Sequence, residues 1–338
     1  MDERPVGDRP IEGPWHHDET IVNGVRLHYV EAGEGPLVLC LHGFPEFWYA
    51  WREQIPALAE AGYHVVAPDL RGYNRSEKPT SLASYRIGEL VRDCVELIGT
   101  FDDQAHVVAH DWGGTVAWEL AARHPEVVDR LAILNAPHPR AFERELRTAD
   151  QLGRSWYTFF FQLPVLPELG FRVGGYRVVE SAVQGSALPG AFSNRDRERY
   201  EAALARPGAL SAAIHYYRAA GRGVVRELPK RVIPGREPDP EWVSTGGEVS
   251  TETLVIWGMN DVALSPRLTE GLEEWVANLR VERFEEATHW VQADRPAEVN
   301  DLLLDFFDGP EREPSGSHVE APGRPLPGGT NDEPKGEW

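Results

Sequence analysis

The sequence predicts an α/β fold: a mostly parallel, eight-stranded sheet with a helical cap inserted after the sixth strand. Two observations predict this class. Strand and helix patterns alternate along residues 19–137 and again along 244–308. Strand signals are absent from residues 138–243, which show helical spacing, aromatic clusters and proline breaks. Because alternating elements build parallel sheets that are covered on both faces, and ligands bind beyond the carboxyl ends of such strands, the insertion is expected to shape a binding site.

The individual elements follow from apolar periodicity and turn signals. Alternating apolar and polar residues on both sides of Asn23-Gly24 predict a hairpin of residues 19–22 and 25–31. Short apolar runs predict buried strands, and apolar residues three or four apart predict helices. The remaining predicted strands are 36–41, 63–67, 106–109, 130–134, 252–257 and 280–285. The predicted core helices are 47–61, 85–100, 113–124, 266–276 and 296–307.

The two ends of the chain differ in composition from the alternating part. Residues 1–18 carry several prolines and charges, and we expect them to be loosely ordered. Residues 309–338 are acidic and rich in glycine and proline. Because such a composition cannot bury a core, we expect a disordered tail.

The charge of the chain limits its partners and its environment. A net charge of −20 argues against nucleic acid and anionic membranes as partners. Lysine is limited to Lys78, Lys230 and Lys335. An acidic surface with so few lysines suggests adaptation to high salt, where screening removes self-repulsion. A GC-rich genome that favours arginine, together with an acidic tail, is the alternative.

Compartment is inferred from hydropathy and cysteine content. No apolar run reaches the length of a transmembrane helix, and the polar N-terminus does not resemble a secretory signal. Cys40 and Cys94 lie in apolar patterns and are expected to be small core residues. The sequence therefore predicts a protein of a reducing compartment, the cytoplasm.

The strongest chemical signal is the stretch Val107-Val-Ala-His-Asp-Trp-Gly-Gly114, in which a strand passes into a helix at Asp111. Small residues flank this aspartate at Ala109, Gly113 and Gly114. The spacing is typical of a nucleophile elbow, where tight backbone packing requires small neighbours and lifts one side chain above the sheet. A carboxylate there can attack carbon and form an ester. An aspartate that only caps the helix is the alternative, but it would not need the two glycines.

The stretch His42-Gly-Phe-Pro45 follows a predicted buried strand. In an elbow enzyme, the loop at this position and the residue after the nucleophile each supply a backbone N–H to an oxyanion hole. The expected donors are Phe44 and Trp112, and we expect both residues and Pro45 to contact the substrate. A turn that only ends the strand is the alternative.

The expected chain order of nucleophile, acid and base identifies two further candidates. Asp261 follows predicted strand 252–257, and His289 follows the last predicted strand. An aspartate at this position would orient His289 and stabilise its protonated form. The acid could also follow the preceding strand, but Asn135 stands there. An ordinary turn aspartate is the alternative interpretation of Asp261.

Motifs along the chain are similar to those of the soluble epoxide hydrolases of the α/β-hydrolase superfamily. The resemblance covers most of residues 19–308, and it rests on His42-Gly-Phe-Pro-Glu-Phe-Trp-Tyr-Ala-Trp-Arg52, Asp69-Leu-Arg-Gly-Tyr73, His110-Asp-Trp-Gly-Gly114 and His289-Trp-Val-Gln292. It implies the α/β-hydrolase fold and two cap tyrosines that hydrogen-bond the epoxide oxygen. By local context these match Tyr157 and Tyr217, with Tyr216 as the alternative register for the second. Each tyrosine could instead be a core aromatic. Ala109 departs from the family, in which glycine is commoner, but alanine is still small.

The resemblance implies hydrolysis of a small apolar epoxide to a vicinal diol, with water as the second substrate. It implies Asp111 as nucleophile and His289 as base, and it implies no metal or organic cofactor. The oligomeric state, monomer or homodimer, stays open.

Two rival functions use the same fold. A haloalkane dehalogenase could use Trp112 as a halide donor, but Phe44 offers no second side-chain donor and the tyrosines stay unexplained. Fluoroacetate-type dehalogenases usually carry arginine at the position of Trp112. A non-catalytic receptor is the rival from another class, and the complete triad argues against it.

Overall fold

A single eight-stranded sheet forms the centre of the computed structural model. Its strands are β1 (His16–Val22), β2 (Val25–Ala32), β3 (Leu37–Leu41), β4 (His64–Pro68), β5 (Ala105–His110), β6 (Val128–Leu134), β7 (Glu252–Gly258) and β8 (Leu279–Phe284). They lie in the order β1-β2-β4-β3-β5-β6-β7-β8. The pairs β1–β2 and β2–β4 are antiparallel and the others are parallel. The mostly parallel, eight-stranded sheet of the α/β-hydrolase fold is therefore confirmed.

The structure describes residues 10–174, 186–232, 239–244 and 246–309. Residues 1–307 belong to one unit, and the second unit, 308–338, is described only at residues 308 and 309. Residues 1–9 of the expected loose segment 1–18 and residues 310–338 of the expected tail 309–338 lie outside the described residues. Strand β1 already begins at His16, three residues before the predicted start.

The predicted N-terminal hairpin is confirmed, and its turn explains why. Asn23 and Gly24 both have positive φ, at 47° and 70°. Two consecutive left-handed residues match the right-handed twist of a two-residue hairpin, and Asn-Gly adopts this conformation at low cost.

Helices cover the sheet and fill the region between β6 and β7. They are α1 (Gln54–Glu60), α2 (Ile87–Phe101), α3 (Asp111–Arg123), α4 (Pro139–Glu145), α5 (Ala149–Arg154), α6 (Trp156–Phe160), α7 (Leu166–Val173), α8 (Asn194–Ala205), α9 (Ala209–Val232), α10 (Val291–Asp294) and α11 (Pro296–Phe307). Helix α2 buries Leu90, Cys94 and Leu97, whose spacing puts them on one face. Among the described residues, six helices, α4 to α9, lie between β6 and β7, in the region that the sequence predicts as a cap.

Two predicted helices differ from the structure. The segment 266–276 is not a helix but two short 3₁₀ turns, Pro266–Thr269 and Leu272–Glu274. Glu270 between them is extended, and Gly271 has a φ of 69°, so a continuous helix cannot form. The segment 47–61 is split into a 3₁₀ turn, Trp48–Trp51, and α1. All four residues of that turn are buried. Four consecutive residues of a surface α-helix point in different directions, so they could not all face the core.

The prediction that Cys40 and Cys94 are core residues is confirmed, since both are buried free thiols. No helix in the described part of the chain is both long and apolar enough to cross a bilayer.

Candidate active site

Asp111 stands at the junction of β5 and α3, at the centre of the sheet. It is the first residue of α3, and its φ of 48° lies in the left-handed region that non-glycine residues rarely adopt. Strained backbone of this kind persists where the surrounding structure over-determines it, and it clusters at functional sites. The elbow thus lifts the Asp111 carboxylate beyond the carboxyl end of β5.

The small residues beside Asp111 are required by close backbone approach. A Cβ atom on Gly113 would lie 2.3 Å from the Leu41 carbonyl oxygen, and one on Gly114 would lie 2.2 Å from the Ala136 Cβ atom. Such distances are far inside van der Waals contact, so neither position tolerates a side chain. The glycine pair that distinguished an elbow from a helix cap therefore has a steric reason.

The three expected triad side chains meet at the carboxyl edge of the sheet. The Nε2 atom of His289 is 3.7 Å from Oδ2 of Asp111, and its Nδ1 atom is 2.7 Å from Oδ2 of Asp261. His289 and Asp261 are buried, at 6% and 2% exposure. A buried imidazole that is hydrogen-bonded to a carboxylate through Nδ1 is held in one orientation, with Nε2 facing Asp111.

The Asp261 carboxylate accepts hydrogen bonds on both oxygens. Oδ1 accepts from the backbone N–H groups of Ala263 and Leu264, at 2.7 and 2.9 Å. Oδ2 accepts from the Asn135 amide at 2.8 Å, besides His289. The alternative interpretation would place the acid at the end of β6, where Asn135 stands. Asn135 instead donates a hydrogen bond to Asp261, the acid that follows β7.

Asp111 and His289 stabilise each other's charged form. Burial raises the pKa of Asp111, but the His289 imidazole outweighs burial and brings the pKa below its ordinary value of 3.8. Burial lowers the pKa of His289, but the charges of Asp261 and Asp111 outweigh it and hold the pKa well above 6.5. The free site therefore contains an ionised Asp111 at neutral pH.

The expected oxyanion donors lie beside Asp111. The Phe44 N–H donates to Oδ1 of Asp111 at 2.7 Å. Trp112 is the second residue of α3, and backbone N–H groups of a first helical turn have no acceptor within the helix. Pro45 is buried next to Phe44.

Tyr157 and Tyr217 meet above the elbow within an aromatic cluster. Their ring centroids are 5.9 Å apart, and the Tyr217 ring lies 5.5 Å from Phe44 and 5.0 Å from Trp112. Phe161 contacts both tyrosines, at 5.9 and 4.9 Å. Burial and then the charge of Asp111 raise the pKa of both tyrosines above 10, so both hydroxyls keep their protons at neutral pH.

The structure separates Tyr217 from Tyr216, its register alternative. The Tyr216 hydroxyl donates to the Arg71 carbonyl oxygen at 2.8 Å and is buried among core aromatics. Of the two tyrosines, it is Tyr217 whose ring contacts that of Tyr157, with the centroids 5.9 Å apart. The geometry therefore favours Tyr217 as the partner of Tyr157.

Three comparisons with known proteins agree with this geometry. A family model of the alpha/beta hydrolase fold matches residues 36–296. Epoxide hydrolase 4 of Homo sapiens is 36% identical over 295 residues, which cover 84% of this chain and 76% of that protein. The crystal structure of Bacillus megaterium epoxide hydrolase in complex with an inhibitor has a TM-score of 0.74 at 35% identity and covers 86% of this chain and 99% of that one.

This chain belongs to the epoxide hydrolases of the α/β-hydrolase superfamily. The AB hydrolase superfamily protein YfhM of Bacillus subtilis is a further relative, at 40% identity over 84% of this chain and 95% of that protein. The family resemblance inferred from the sequence motifs is confirmed.

A buried pair that was not predicted from the sequence, His110 and Glu46, supports the candidate active site. The His110 Nδ1 atom lies 2.7 Å from Oε2 of Glu46, and its Nε2 atom lies 2.9 Å from the His289 carbonyl oxygen. Because a carbonyl oxygen only accepts, Nε2 of His110 carries a proton and donates it there. Glu46 also accepts from Gln292 and from Tyr200 of α8. The signal was present in the sequence, since Glu46 and His110 stand inside the motifs.

No group of three or more His, Cys, Asp or Glu side chains among the described residues is arranged to hold a metal ion.

Proposed function

We propose that the chain hydrolyses epoxides to vicinal diols in two steps, through an ester of Asp111. The observation that carries the proposal is the pair of protonated hydroxyls, Tyr157 and Tyr217, facing the elbow that bears an ionised carboxylate. Ring opening creates an alkoxide, and two such donors are suited to stabilise it.

In the first step, Oδ2 of Asp111 attacks one ring carbon. A carbon–oxygen bond forms to the enzyme and the ring carbon–oxygen bond breaks. The released oxygen takes a proton from Tyr157 or Tyr217, which leaves a tyrosinate. Because Asp111 is already ionised, this step needs no base.

Ester formation removes the Asp111 charge that helps to hold a proton on His289, and His289 releases that proton to solvent. In the second step, a water loses a proton to Nε2 of the neutral imidazole and attacks the ester carbonyl carbon. The N–H groups of Phe44 and Trp112 stabilise the charge on Oδ1. The acyl carbon–oxygen bond then breaks and the diol leaves with an oxygen that came from Asp111. His289 returns one water proton to the leaving alkoxide, and the other water proton restores the tyrosine.

The chemistry around Asp111 favours this proposal over its rivals. Halide displacement creates no alkoxide, so the two tyrosine hydroxyls would have no developing negative charge to stabilise. A receptor would not need an imidazole that faces an ionised carboxylate. The proposed substrates are therefore small, uncharged epoxides and water.

Intact-protein mass spectrometry of His289→Gln tests the proposal. This variant should form the ester but fail to hydrolyse it, since no group deprotonates the water. After mixing with an aryl epoxide, we expect a mass gain equal to the whole epoxide. A dehalogenase mixed with a haloalkane would gain the alkyl group alone, and a receptor would gain nothing.

The controls remove the nucleophile or one donor. His289→Gln combined with Asp111→Asn should gain no mass, and asparagine keeps a residue that tolerates the left-handed backbone. Tyr157→Phe and Tyr217→Phe should each slow ester formation by about 10²–10³. An adduct-free His289→Gln enzyme, or tyrosine variants with unchanged alkylation rates, would refute the proposal.

A further inference from the structure

Apolar side chains are concentrated on one outer part of the cap region. Eight of the twelve large apolar side chains that are exposed in the described residues lie between Leu152 and Val173. We call these eight residues the apolar shelf. Their exposures range from 42% to 80%, and they are Leu152, Trp156, Phe159, Leu163, Val165, Leu166, Leu169 and Val173.

Helix α7 presents its apolar face outward. Leu166, Leu169 and Val173 are three and four residues apart, so they share one face, and they are 53%, 50% and 80% exposed. The opposite face buries Pro167 and Phe171 together with a charged residue, Glu168. A surface helix normally directs such an apolar stripe toward the core. Helix α7 therefore has a second apolar stripe that the chain itself leaves exposed, which indicates that another surface covers it.

The shelf is held firmly, so its exposure does not result from loose packing. Arg218 of α9 donates to the carbonyl oxygens of Phe161 and Leu163, at 2.9 and 2.6 Å. The same guanidinium forms two hydrogen bonds with Glu168, at 2.6 and 3.0 Å. One buried arginine thus joins the turn after α6 to α7. On the other side of the shelf, Arg154 of α5 donates to the Asp261 carbonyl oxygen at 2.6 Å.

Val165 adds a conformational cost at the centre of the shelf. It has a φ of 67°, and the Leu166 N–H donates to the Pro164 carbonyl oxygen across it at 2.7 Å. A β-branched residue is a genuine outlier in this region of φ. Its side chain is nevertheless 69% exposed. Backbone strain of this kind clusters at functional sites. A strained residue whose apolar side chain is exposed therefore indicates a binding surface.

The exposed area of the shelf and the charges near it indicate what kind of partner covers it. If each side chain offers roughly 100 Å², the shelf supplies on the order of 800 Å², which is what each partner buries in a standard protein interface. The charged residues that adjoin the shelf in sequence carry both signs, with Asp150 bonded to Arg154 and Glu143 to Arg147. A mixed border is typical of protein interfaces, whereas a net charge of −20 disfavours anionic lipid.

We infer that the apolar shelf is the contact surface of a homodimer, in which a second copy of this chain covers it across a two-fold axis. An apolar surface is self-complementary, as a two-fold interface requires. Two bodies of charge −20 repel each other, and salt screens that repulsion. The dimer should therefore be tighter in molar sodium chloride than at low ionic strength.

Sedimentation velocity of the full chain in molar sodium chloride tests the inference. The variants are Leu169→Glu and Val173→Glu, and the matched control is Ile21→Glu, because Ile21 is 74% exposed on β1. Wild type and the control should be dimers at micromolar concentration. Each shelf variant should raise the dimer dissociation constant by at least about 100-fold, since a carboxylate would lose its water in the interface. Their kcat/KM on an aryl epoxide should stay within about twofold of wild type.

A wild-type chain that stays monomeric at high micromolar concentration in molar salt would overturn the inference, and so would shelf variants that dimerise like wild type. Flotation with neutral phosphatidylcholine vesicles examines the other occupant. No co-flotation is expected. Wild type that floats while Leu169→Glu does not would identify a lipid surface instead of a second copy.

Discussion

Asn135 shows how one residue can tune a site without touching the reacting atoms. Its side chain donates to Oδ2 of Asp261 at 2.8 Å and accepts from the Gly258 N–H at 2.8 Å. It is fully buried and has a φ of 38°, a conformation that asparagine tolerates better than most residues. It therefore fixes the carboxylate that orients His289.

Asn135→Ala should slow the second step and spare the first. The change removes a hydrogen bond to a charged acceptor, a loss of about 1.5–3 kcal/mol, which corresponds to a slowing of roughly 10- to 100-fold. Stopped-flow measurements should show a reduced rate of ester hydrolysis with an unchanged rate of ester formation. Asn300→Ala, on α11 and bonded to the Glu53 carbonyl oxygen, is the matched control. An equal loss in both steps would show that Asn135 acts only on the fold.

The two steps should also respond differently to pH. The pKa of Asp111 is lowered by His289, so the carboxylate stays ionised and ester formation should be flat from about pH 5 to about pH 8. Burial lowers the pKa of His289, and the charges of Asp261 and Asp111 outweigh it in the free site; in the ester Asp111 is uncharged, so Asp261 is the carboxylate that still raises this pKa. Only the neutral imidazole accepts a proton. Hydrolysis should therefore accelerate as pH rises through the His289 pKa. Single-turnover rates of each step across this range make the measurement, and a parallel decline of both at low pH would contradict it.

For single residues, the residue types and their order along the chain were enough to predict that Asp111, Asp261 and His289 lie together. The supporting contacts were not predictable in the same way. The bond from Asn135 to Asp261 depends on the pairing of Leu134 with Ile256, which sets how far each strand extends. Local sequence does not determine such a register, because it results from packing across the whole sheet.

Among the elements, buried strands were predicted well and irregular helical segments poorly. Strands β3 and β5 are buried along their whole length and β7 from its second residue onward, as strands covered on both faces require. The segment 266–276 has helical apolar spacing, but Gly271 adopts a left-handed conformation that spacing alone does not reveal. Tertiary packing decided the outcome there.

Arg218 links three helices between β6 and β7, since it bonds to Glu168 of α7 and to the carbonyl oxygens of Phe161 and Leu163 after α6. Arg218→Met should lower the free energy of unfolding by about 3–5 kcal/mol, because Glu168 would stay buried without its partner. Ester formation should also slow, since Tyr217 is adjacent on α9. Urea denaturation and stopped-flow kinetics measure the two effects. The control is Arg222→Met, an exposed position on the same helix; equal stability of the two variants would contradict the prediction.

For the whole molecule, charge is the dominant property. With −20 net charge and only three lysines, the native state carries strong self-repulsion at low ionic strength. The Debye length falls from about 10 Å at 0.1 M salt to about 3 Å at 1 M. The melting temperature should rise between these conditions, and an uncharged osmolyte at equal osmolality is the control. A melting temperature that does not respond specifically to salt would leave genome composition as the explanation.

The ester at Asp111 is the central intermediate of the proposed mechanism, and oxygen labelling tests its formation most directly. A single turnover is run with excess enzyme in ¹⁸O-labelled water. If Asp111 is the nucleophile, the first diol carries unlabelled oxygen from the carboxylate, and the label appears in Asp111 on peptide mapping. If water attacks the epoxide directly, the first diol is labelled and Asp111 is not. The first result is the one we predict, and the second would contradict the account.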